Sequence, residues 1–88
     1  MTTMKAVFEA ISREKVVPNE VFAALKPYVK RMKKEIRAWN MGDPGDVSDK
    51  ELIQSAWEGM RLAGWMPEDV LAQPSRAVDD VLGIWRSN

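Results

Sequence analysis

The chain contains neither cysteine nor histidine. These two absences together exclude disulfides, thiolate nucleophiles, Cys/His zinc sites and an imidazole general base. Carboxylate or lysine chemistry would remain, but one small core in 88 residues can enclose little. The reading is of a non-enzyme with no cofactor and no small-molecule substrate. No apolar run approaches the length of roughly 18 residues that a membrane span needs. No apolar signal core follows Met1-Thr2-Thr3-Met4-Lys5. A cytoplasmic protein with no membrane partner is expected. Alternating strand-like segments, internal repeats and low-complexity tracts are also missing.

What is present points to helices in one domain spanning residues 1–88. Between Phe22 and Trp39 the apolar residues keep one beat: Phe22, Leu25, Val29, Met32, Ile36 and Trp39 are spaced three, four, three, four, three. On a helix they line one face, a seam for other helices to cover. Pro27 interrupts this run. It cannot donate to the carbonyl of Ala23, and its ring crowds that turn, so a kink or break is expected near Lys26. The spacing predicts a short helix over 20–26 joined to a longer one over 27–40, with Asn19 as its N-cap.

Upstream, Met4, Val7, Phe8 and Ile11 predict a short amphipathic helix capped by Thr2 or Thr3. Downstream, Met41 to Asp46 reads as a loop, with Gly42 suited to the left-handed position after a helix. The next start is specified locally. Ser48 and Glu51 have the spacing of a capping box, and Val47 with Leu52 that of a hydrophobic staple. That helix should bury Leu52, Ile53, Ala56, Trp57, Met60 and Ala63, and stop at Gly64 with Trp65 folded back on Met60. Pro67 suits the first turn of a short helix running to about Gln73, which Pro74 closes. Val78, Val81, Leu82 and Trp85 then predict a last helix opened by Ser75 or Gln73. The fold class is all-α, a compact bundle of four to five short helices. Its central helix runs over about 20–40, kinked at Pro27, with the 48–63 helix as main antiparallel neighbour.

The formal charge is zero, with 13 basic and 13 acidic residues, yet the signs are segregated. Residues 1–42 carry nine Lys/Arg against four Asp/Glu, and residues 43–88 carry four against nine. This +5/−5 split suits two halves whose charges pair across their interface. Its sharper reading is a cationic face for an acidic partner, or head-to-tail self-association. Lys26, Lys30, Arg31, Lys33, Lys34 and Arg37 make up that face, with Glu35 the one acid among them. Such a helix could contact nucleic acid, but Tyr28 and Trp39 sit at or beside the seam rather than among the cations. A neutral chain also lacks the long-range attraction of a dedicated binder. The acids Asp43, Asp46, Asp49 and Glu51 do not follow the alternating ligand pattern of a calcium loop, and capping plus solvation accounts for them.

Four tryptophans and six methionines are many for this length. Trp39, Trp57 and Trp85 fall on apolar faces and Trp65 at a helix stop. A domain this small hides four indoles with difficulty, and tryptophan is favoured at interaction hot spots. Trp65, Met66 and Trp85 are therefore candidate partner-binding residues beside the six cations.

The Gly64–Trp65–Met66–Pro67–Glu68–Asp69 turn is followed by Leu71, Val81, Leu82 and Trp85-Arg86. A tryptophan, then x-Pro-acidic, then a helix ending in Leu-x-x-Trp-Arg resembles the short helical proteins encoded among bacteriophage tail-assembly genes. The resemblance covers about residues 63–87 and implies an assembly chaperone or adaptor, phage- or mobile-element-encoded, that acts through protein contacts. The leading expectation is thus a non-enzymatic protein-binding adaptor, with a protein partner or a second copy of itself. The alternative is a small nucleic-acid-binding regulator using the basic helix 26–37.

Overall fold

The computed structural model describes residues 16–39 and 47–87, and these contain five α-helices, one 3₁₀ turn and no strand. The helices are α1 (Asn19–Leu25), α2 (Val29–Ala38), α3 (Asp49–Leu62), α4 (Pro67–Ala72) and α5 (Pro74–Ser87), with the 3₁₀ turn Lys26–Tyr28 between α1 and α2. The chain is an all-α bundle. The helix expected over residues 4–14, its threonine caps, and the loop over 41–46 with Gly42, Asp43 and Asp46 lie outside the described residues.

Pro27 breaks the long helix rather than merely bending it. The Lys26 amide still donates to the Phe22 carbonyl. The chain then tightens into the 3₁₀ turn, in which Val29 donates to Lys26. Tighter i→i+3 bonding is the usual way past a residue that has no amide hydrogen. Asn19 is not the cap. It is the first helical residue, and Pro18 takes the cap position in extended geometry with no side-chain bond. The fixed φ of proline holds that entry without a side-chain acceptor.

Along the seam Leu25, Val29, Met32 and Ile36 are buried, while Phe22 and Trp39 are half-buried against the same core. Val21, off the seven-residue beat, is fully buried. The cause is tertiary. α1 packs chiefly on α4, whereas α2 packs on α3 and α5, so the stretches either side of the 3₁₀ turn face different neighbours. Each fully covered aliphatic side chain contributes roughly 1.5–3 kcal/mol of apolar transfer.

The start of α3 is as the sequence dictates. The Glu51 amide donates to Ser48 Oγ at 3.1 Å, and the Ser48 amide donates to Glu51 Oε2 at 3.1 Å. Val47 and Leu52 are both buried in the core. At the other end the Trp65 amide donates to the Met60 carbonyl at 2.9 Å and the Gly64 amide to the Arg61 carbonyl at 3.0 Å. Gly64 has φ +93°. These two bonds and the left-handed glycine make a Schellman stop. Ala63 is exposed rather than buried, because it is already the cap residue beyond the last regular turn.

Among single helices α3 packs most on α5, and it also packs on both α1 and α2, the two pieces of the expected 20–40 helix. A Cβ added at Gly59 of α3 would stand 2.7 Å from Val81 Cγ2 and 3.7 Å from Trp85 Nε1, so glycine lets the two backbones approach here. Pro74 opens α5 as its first residue, and Gln73 alone separates α4 from α5. A proline at that position loses nothing, since its missing amide would have had no partner within the helix.

Candidate interaction surface

Two surfaces gather the residues singled out by sequence. The first is the cationic side of α2 and the 3₁₀ turn. Arg31 forms an ion pair with Asp79 of α5, and Lys33 Nζ lies 3.4 Å from Asp49 Oδ1 at the start of α3. These pairs cross from the basic half of the chain to the acidic half, so part of the charge segregation is spent on holding helices together. Exposed pairs of this kind contribute about 0.2–1 kcal/mol each. Lys26, Lys30 and Lys34 are exposed, and no carboxylate among the described residues pairs with them. Lys30 and Lys34 stand about one turn apart on the same side of α2, and Lys26 precedes them by four residues. Arg37 is also exposed. Arg31 and Lys33 therefore serve the fold, while Lys26, Lys30 and Lys34 form a row that faces solvent.

The second surface is the turn between α3 and α4. The Schellman stop fixes its backbone, and Trp65 Nε1 donates to Asp80 Oδ2 on α5 at 2.9 Å. The amide of Met66 donates to Asp69 Oδ2 at 3.1 Å, which caps α4. Trp65 is half-buried against the core, its indole N–H already engaged, rather than standing out in solvent. Its neighbours are what solvent meets: Met66 is 55% exposed and Leu62 82%. A cleft of about 290 Å³ opens here, lined by Gly64, Trp65, Asp69, Gln73, Arg76 and Asp80. Trp85 is half-buried and packs in the joint between α3 and α5 beside Gly59.

Between α2 and α5 lies a second cleft of about 250 Å³, where Arg31, Glu35, Trp39, Asp79 and Arg86 meet. Both clefts lie at or just below the lower end of the roughly 300–1,000 Å³ of an ordinary ligand pocket. Among the described residues no group of three or more acidic side chains is placed to hold a metal ion. Of the acids near the loop, Glu51 closes the capping box and Asp49 faces Lys33.

Sequence reasoning did not single out Leu62 as an exposed contact residue, although a signal for it exists. Leu52, Ile53, Ala56, Trp57 and Met60 fill the buried stripe of α3, and Leu62 lies off that stripe on a helix that needs no further apolar face. Exposed Leu71 and Ile84 likewise lie off the buried positions of α4 and α5. No helix among the described residues is long and apolar enough to cross a membrane. Comparison of the chain with protein-family models, with characterised proteins and with solved structures finds no match.

Proposed function

We propose that this chain is a non-enzymatic, cytoplasmic protein-binding adaptor or assembly chaperone, of the phage-like kind that residues 63–87 resemble. The observation that carries the reading is the α3–α4 turn. Leu62 and Met66 are exposed there on a backbone held by two Schellman bonds, a cap from Asp69 and the Trp65–Asp80 bond. Apolar side chains on a pre-ordered turn bind with little further loss of conformational entropy, which is what a contact hot spot needs. The solvent-facing lysines supply a second, electrostatic contact. Such a contact adds encounter rate and orientation more than affinity.

Capture of partners from a cell lysate, run with and without nuclease, tests the reading. A defined protein should survive nuclease and be lost with L62S/M66S. Replacing Lys26, Lys30 and Lys34 by glutamate should weaken capture and flatten its salt dependence. If the captured material is nucleic acid, lost with the lysines and indifferent to Leu62 and Met66, the adaptor reading is wrong and the chain is a nucleic-acid-binding regulator.

A further inference from the structure

We infer that the solvent-facing lysine row of one molecule docks on the α3–α4 turn of a second copy, so that the chain associates head to tail. The inference rests on reading both surfaces as contact surfaces and names the partner of each as the other. The turn has the chemistry to receive lysines. Asp69 and Asp80 line the cleft beside Trp65, Glu68 stands next to Asp69 in the first turn of α4, and each of these acids is exposed. Arg76, within hydrogen-bond reach of Gln73 at 3.4 Å, is the one cation among the described residues that line that cleft. Lysine stems would lie over Leu62 and Met66, as such amphipathic stems do on apolar surface. Their ammonium groups would reach the carboxylates or the indole face. On the other side, Lys30 and Lys34 repeat every ~6 Å along α2 at 1.5 Å per residue, and no described carboxylate neutralises them.

No ion pair among the described residues joins the lysine row to the turn within one molecule. α5 engages α2 and the turn through neighbouring residues: Asp79 holds Arg31 of α2, while Asp80 holds Trp65. The sequence carries the same segregation of sign, +5 in residues 1–42 and −5 in residues 43–88. Three lysines on a chain of zero net charge are a small footprint for nucleic acid, whereas the acidic turn matches them in number. Contacts of this kind are heterologous, so repetition yields an open chain or a closed ring rather than a two-fold dimer.

Sedimentation velocity on the purified full chain tests this. At ~0.01 M salt, where the screening length is about 30 Å, the average mass should rise with concentration to at least double the monomer mass. At ~1 M salt, where that length is about 3 Å, it should return to the monomer. K26E/K30E/K34E inverts one surface. E68K/D80N reverses the other and leaves an acceptor for the Trp65 indole. Each variant alone should remain monomeric, with circular dichroism confirming helix content. Mixed together, each supplies the intact surface the other lacks, and the two altered surfaces are no longer alike in sign, so mixed species of at least one-to-one dimer mass should form. A wild-type chain that stays monomeric at low salt overturns the inference, as does a mixture that stays monomeric while the wild type associates. Capture of a different protein that still depends on Leu62 and Met66 would then preserve the adaptor reading by itself.

Discussion

Replacing Gly59 by alanine should destabilise the protein even though alanine is the better helix former. The substitution adds one methyl group in α3, and its Cβ would stand 2.7 Å from Val81 Cγ2. Ordinary carbon contacts lie at about 3.5–4.0 Å, so the overlap is close to 1 Å. Val81 has little means of yielding. It is fully buried, and a β-branched side chain within a helix has one strongly preferred rotamer. α3 and α5 must therefore move apart, which loosens the most extensive contact α3 makes. Overpacking of this kind costs typically 1–3 kcal/mol, against a gain of about 1 kcal/mol in helix propensity. With the cost in the upper part of that range, the net loss is about 1–2 kcal/mol, or a Tm lower by roughly 4–16 °C for a domain of this size. The control is Gly83→Ala in α5, where an added Cβ meets nothing within 4 Å. There the propensity gain stands alone and Tm should rise by a few degrees. Thermal unfolding of both variants by circular dichroism decides the matter. A G59A protein as stable as G83A would refute the close approach of α3 and α5.

Ser48→Ala removes one half of the capping box and leaves the Glu51 amide without its acceptor, so urea denaturation should show a loss of about 1 kcal/mol. Gly64→Ala meets no neighbouring atom but must hold φ +93°. A loss of about 1 kcal/mol is expected from backbone strain alone, and Gly64→Asn should recover part of it because asparagine tolerates that region better. Ser55→Ala should move the other way. The Ser55 hydroxyl is fully buried and has no hydrogen-bond partner among the described residues, so its removal relieves an unpaired polar group and improves helix propensity. A higher urea midpoint is expected, and a lower one would mean that the hydroxyl is satisfied in solution.

The parts of this fold legible in the sequence are those whose cause is local. Ser48 with Glu51, and Gly64 with Trp65, act within six residues of one another, so their bonds can be read from spacing alone. The core positions at the end of α1 and along α2 are legible for the same reason, since Leu25, Val29, Met32 and Ile36 answer to helical period. Val21 was not legible, because what buries it is the turn of α1 toward α4. The choice of α5 as partner of α3 was hidden too. Its marker was Gly59, a residue that costs about 1 kcal/mol inside a helix and so calls for a reason. The candidate surface divides along the same line. That six cations line the basic helix is plain from sequence, but which of them are already engaged depends on Asp79 and Asp49, 48 and 16 residues away. The exposure of Met66 and the engagement of Trp65 by Asp80 are likewise tertiary facts.

The short connections around α4 have a consequence for how the protein can be watched. Trp57, Trp65 and Trp85 all belong to the continuous α3–α5 stretch, whereas Trp39 alone ends α2. Indole emission therefore weights the 47–87 region three to one, while the far-ultraviolet helix signal counts α1 and α2 in proportion to their length. If the bundle melts as one cooperative unit the two signals coincide. If α1 and α2 fray first, the helix signal falls while three of the four fluorophores still report a folded core, which makes the pair of probes a direct gauge of how firmly the broken helix is held.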